Sequence, residues 1–85
     1  MTPEHLGAII RLYDPMPDYR SWVHSQVTAY IVVGGTRVHL SHNGRGKERV
    51  AVTLPGDVHN DVGKSLVLYF DDAVELMAYL ERLRE

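Results

Sequence analysis

The chain has 85 residues, no cysteine, 45% hydrophobic and 24% charged residues, and a formal net charge of −2. That balance excludes a disordered chain, a disulfide scaffold and a thiolate metal site, and it predicts one compact α+β domain over residues 1–85. No apolar run approaches the about 20 residues that span a bilayer, and the stretch MTPEHLGAIIRLYD has an acidic residue where a signal peptide needs positive charge, so the expected location is cytoplasmic.

The first element is a helix over about residues 3–13. Thr2 is its N-cap, Pro3 occupies the first helical position, Glu4 lies in the first turn, and Leu6, Ile9, Ile10 and Tyr13 recur at helical spacing. DPMPDY then reads as a linker or turn, because Pro15 and Pro17 remove donors and push the residues before them out of the helical region. Period two begins near Val27, predicting strands at 26–33 and 36–41 joined by Gly34 and Gly35, which adopt the positive φ of a two-residue hairpin turn without a Cβ penalty. The turn sets Val33 opposite Thr36, Ile31 opposite Val38 and Ala29 opposite Leu40.

The third strand, KERVAVTL, reaches this sheet through HNGRG. A two-residue turn would put Lys47 and Arg49 on the core face, so an odd loop of three or five residues centred on Gly44 is expected, with Val38 opposite Val50 and Thr36 opposite Val52. That register predicts a row of Tyr30, His39 and Arg49 across the other face, flanked by Arg37 and Lys47. LPGDVHNDVG reads as a loop, SLVLYF as a short fourth strand buried on both faces, and DDAVELMAYLERLRE as an amphipathic helix capped by Asp71 or Asp72, with Ala73, Leu76, Met77, Leu80 and Leu83 on one stripe. The expected fold is an N-terminal helix, an antiparallel β-meander of three to four strands and a C-terminal amphipathic helix packed on one sheet face.

The motifs carry little chemistry. VGKS resembles the end of a phosphate-binding loop, but the first glycine of that pattern should stand where Val58 does, and Lys64 and Ser65 lead into strand-like sequence, where no helix dipole would meet a phosphate. His39, His42 and His59, with Asp57 and Asp61, offer nitrogen and oxygen ligands, yet residues 39 and 42 of one strand point to opposite faces, so no metal and no cofactor is expected. Ser41 has no base and orienting carboxylate at a spacing that assembles a nucleophile, and Asp71 with Asp72 is explained by a helix start, so the chain is not expected to be an enzyme.

Charge is uneven: residues 1–35 sum to −1, residues 36–54 to +3 and residues 55–85 to −4. Complementary patches of this kind steer encounter with a partner or a second copy. The expected function is stoichiometric binding of another protein, as a regulator or inhibitor, through Tyr30, Arg37, His39, Arg45, Lys47 and Arg49, with Trp22 as an aromatic anchor. Small cysteine-free chains of this type occur among phage and mobile-element accessory proteins. A homodimer through an edge strand or the terminal helix is a further expectation. The alternative is nucleic-acid binding by the basic and aromatic sheet face. The order helix, three strands, helix is similar to that of the double-stranded-RNA-binding domain, but in topology only: the resemblance implies lysines at the start of the last helix, where FDDAVEL has Asp71, Asp72 and Glu75.

Overall fold

The computed structural model describes residues 1–23, 26–42, 49–54 and 66–85, with only the backbone of Trp22 and Val23. Helix α1 runs over Pro3–Tyr13; its Thr2 cap accepts the His5 amide at 3.1 Å, replacing one of the donors a helix start leaves unpaired. Five strands follow, β1 (Asp18–Val23), β2 (Gln26–Val33), β3 (Thr36–His42), β4 (Val50–Leu54) and β5 (Leu66–Phe70), and the chain ends in α2 (Ala73–Arg84). The strands form one antiparallel sheet in sequence order.

Both helices pack on the same face. Leu6, Ile9 and Ile10 of α1 and Leu76 and Leu80 of α2 close over Val27, Ala29, Ile31, Val33, Val38, Leu40, Val50, Val52 and Leu54. Each Val, Leu or Ile side chain among them, taken from water, contributes about 1.5–3 kcal/mol. Asp72 caps α2 by accepting the Val74 amide at 3.0 Å. The Tyr13 hydroxyl joins the helices, 2.9 Å from Glu81 Oε1 and 3.2 Å from the Met77 carbonyl.

The β2–β3 hairpin has the expected register, with Gly34 and Gly35 at φ 57° and 81°. Three expectations are corrected. Asp18 and Tyr19, expected in the linker, begin a strand that continues through residues 20–23, for which no element was expected: β1 pairs with β2 along its length, and a bulge between Tyr19 and Ser21 breaks the period-two pattern that marks a strand in sequence. The β3–β4 connection keeps the odd parity but runs from residue 43 to 49, setting His42 opposite Val50 and Leu40 opposite Val52. The shorter loop would have carried Leu54 beyond the end of β3, opposite Gly34 in the turn; the longer one leaves Leu54 inside the sheet, opposite Leu66 and fully buried. Lastly, β5 is not buried on both faces. It is an edge strand, with Leu66, Leu68 and Phe70 half-buried beneath the helices and Val67 and Tyr69 43% and 62% exposed on the far side.

A candidate binding surface on the open face of the sheet

With both helices on one face, the other carries no covering layer among the described residues. Strand alternation sends every second residue there, and antiparallel register aligns them into rows. One row crosses all five strands as Asp18, Tyr30, His39, Thr53 and Val67; the next is Ser21, Thr28, Ser41, Ala51 and Tyr69.

The aromatic and charged groups of the first row gather around Tyr30, on β2. The Arg37 guanidinium carbon lies 4.3 Å from its ring centroid, the Arg20 carbon 5.4 Å, and the His39 ring packs at 4.7 Å with a tilt of 50°. A guanidinium over an aromatic face is attracted by the ring quadrupole and is held more rigidly than a side chain in water. Asp18 gathers the two cations: its Oδ2 accepts from Arg20 at 2.8 Å and lies 3.6 Å from Arg37. Arg20, Thr28, Tyr30, Arg37 and His39 line an open depression of about 660 Å³. Partial burial holds the His39 imidazole below the ordinary histidine pKa, so it is uncharged at neutral pH. The depression therefore carries two guanidinium charges against one carboxylate.

Of the residues expected at the site, Tyr30, Arg37 and His39 come together. Arg49 does not. The four-residue change in register puts Thr53 opposite His39, and Arg49 stands before β4, paired with Asp71 at 3.2 Å and 5.6 Å from the Tyr69 ring centroid. Arg45 and Lys47 lie outside the described residues. The Trp22 backbone, in β1, pairs with Val27 of β2. Asp18 and Arg20 complete the cluster and were missed with β1 itself; their signal was the alternation of charged Asp18 and Arg20 with Tyr19, interrupted by the bulge.

The metal reading loses its centre. His39 is on the open face, while His42, the last residue of β3 rather than the start of a turn, is fully buried on the core face with Nε2 donating to the Met1 carbonyl at 2.7 Å. His59, Asp57 and Asp61 lie outside the described residues, and among those described no three His, Asp or Glu side chains could share an ion. Gly63, Lys64 and Ser65 also lie outside them; the element that follows is strand β5, not a helix. No helix among the described residues is long and apolar enough to cross a membrane. The chain matches no protein-family model, and no curated protein or solved structure matches it.

Proposed function

We propose that this chain is a non-enzymatic protein-binding module, a stoichiometric regulator or inhibitor that docks its partner on the open face of the sheet. One observation carries the reading: a five-strand face with no covering layer among the described residues has an Arg–Tyr–His cluster on β1–β3, and small or apolar side chains, Thr28, Ser41, Ala51, Thr53 and Val67, extend from it across the sheet. Tyrosine and arginine are enriched at the energetic centres of protein interfaces, where a surrounding ring of weaker contacts excludes water.

Nucleic acid fits this face less well. The Tyr30 ring that would stack a base already carries Arg20, Arg37 and His39, and Asp18 and Asp71 offset part of the charge that would meet phosphates.

The test is affinity capture with and without nuclease, comparing the wild type with Tyr30→Ala and Thr53→Arg, followed by rebinding of the captured protein after purification. A purified partner that binds the wild type, survives nuclease and loses both variants supports the module. Recovery of nucleic acid alone, or binding indifferent to both substitutions, overturns it.

A further inference from the structure

We propose that the Arg37 guanidinium is a receptor for a carboxylate side chain on an acidic, partly apolar segment of the partner protein. This deepens the binding reading above and rests on it.

Arg37 is placed but not satisfied. Tyr30 supports its guanidinium at 4.3 Å, and Asp18 draws it from 3.6 Å, beyond hydrogen-bond distance. Among the described residues no hydrogen bond occupies its N–H groups. Arg20, by contrast, is bonded to Asp18 at 2.8 Å. The fork of Arg37 therefore lies over the Tyr30 ring and faces solvent, with its donors open among the described residues. A planar fork accepts a carboxylate through two parallel hydrogen bonds, and holding it beforehand reduces the ordering cost of binding.

The charge balance selects among anions. In the depression over Tyr30, Arg20 and Arg37 stand against Asp18 alone, a local excess of one positive charge, while the second carboxylate, Asp14, borders the neighbouring depression. A single carboxylate matches that excess, whereas a dianionic phosphate would exceed it and meet the Asp18 carboxylate as well.

The neighbouring surface supplies the apolar part. On the α1 side of Arg37 a second depression of about 300 Å³ is lined by Met16 and Val32, which are 86% and 54% exposed. Asp14 and Asp18 also border it, Asp14 with its two oxygens accepting the amides of Met16 and Val32, each at 3.0 Å, so this depression suits an apolar side chain and the acidic one belongs over Arg37. An extended segment alternating acidic and apolar side chains would fill both depressions.

The probe is a blocked peptide alternating Leu and Glu, with the same peptide carrying Gln for each Glu and inorganic phosphate as separate arms, titrated at low salt into labelled protein and followed by NMR. The expected result is saturable shifts at Arg37 Nε–H, Tyr30, Met16 and Val32, and affinity about tenfold lower for the Gln peptide. Arg37→Lys, which keeps the charge but loses the fork, should also bind about tenfold more weakly, while Arg82→Lys on α2 should bind as the wild type does.

The proposal is overturned by unchanged affinity in Arg37→Lys, by shifts spread equally over Arg82 and Arg84, by saturation with phosphate below the peptide's own range, or by no shift at millimolar peptide. A purified partner lost by Tyr30→Ala but retained by Arg37→Lys would remove the carboxylate receptor and leave the binding module standing. A peptide site without any partner would do the reverse.

Discussion

Gly34, the first residue of the β2–β3 turn, lies against the backbone of Leu83 in the last turn of α2, so that a Cβ placed on it would collide with the Leu83 carbonyl oxygen and come within 3.0 Å of Arg84 Cα. Gly35 beside it has the same handedness, with φ 81°, but opens onto free space. One glycine is thus required twice, by its backbone angle and by the helix it touches. The other is required once.

Gly34→Ala should therefore cost more than Gly35→Ala. The positive φ alone costs about 1–2 kcal/mol for an L side chain, and backbone contact at Gly34 cannot be relieved by a rotamer change. Thermal unfolding should show Gly34→Ala melting well below Gly35→Ala, since about 1 kcal/mol shifts a domain of this size by about 4–8 °C. Equal midpoints would show that α2 does not rest on the turn.

Asp14 stands in for a missing strand. Pairing of β1 with β2 begins at Asp18 and Tyr30, so the Val32 amide lies beyond the end of β1, and Asp14 Oδ2 accepts it at 3.0 Å. Asp14→Ala should destabilise by about 1–2 kcal/mol in urea unfolding and speed exchange of the Val32 amide. Asp14→Asn, which keeps one acceptor oxygen, should lose less. An unaltered Val32 exchange rate in the alanine variant would show that this bond does not hold in solution.

His42 is a structural residue. Its ring is fully buried and bonded to the Met1 carbonyl, so His42→Ala leaves a cavity and removes that hydrogen bond and should cost about 2–4 kcal/mol. Dialysis of the wild type against a chelator should leave the thermal midpoint where it was, and a marked fall would show a bound ion contributing to stability.

Acid should weaken the fold through His39. Burial lowers its folded pKa below the ordinary 6.5, so the unfolded chain binds the proton more tightly. Above that value neither state is protonated and His39 contributes no slope; as pH falls through it, the unfolded state gains protons first and stability declines until the folded value is passed. His39→Gln should flatten the profile in that window, and a profile indistinguishable from wild type would assign the slope elsewhere.

Alkali should act through Tyr13. Its pKa is raised above 10.0 by burial first, then by the hydrogen bond to Glu81 and the Glu81 charge, against a smaller opposing effect of Arg84. For an acid with a raised folded pKa, the stabilisation is complete below the unfolded value and is lost as pH rises through the folded one. Tyr13→Phe should cost about 1 kcal/mol at neutral pH and remove this part of the alkaline decline; a Tyr13→Phe protein as stable as the wild type would show that the link between the helices contributes nothing.

Much of the architecture was written in local pattern. Thr2 and Asp72 cap their helices, the stripe through Leu76 and Leu80 buries against the sheet, and the glycine pair sets a register that the hairpin follows residue by residue. Each of these depends on neighbours close in the chain, where spacing reports directly on the buried face. The parity of the β3–β4 connection was legible for the same reason, because a one-residue slip would have moved Lys47 and Arg49 to the core.

What remained was set by distant partners. Any odd loop satisfies parity, and only the packing of Leu54 beneath the helices selects the one that places Thr53 beside His39 and removes Arg49 from the Tyr30 row. Strand β1 lacks an apolar period in sequence, because the bulge between Tyr19 and Ser21 shifts its alternation, and its place is set by pairing with β2. Composition, the helix caps, the Gly34–Gly35 turn and the buried faces of β2 and β3 were thus determined by the sequence itself. The company Tyr30 keeps, with Asp18 and Arg20 brought to Arg37 across the sheet edge, was decided by tertiary structure, since long-range register depends on how the whole core closes and leaves no local periodic trace.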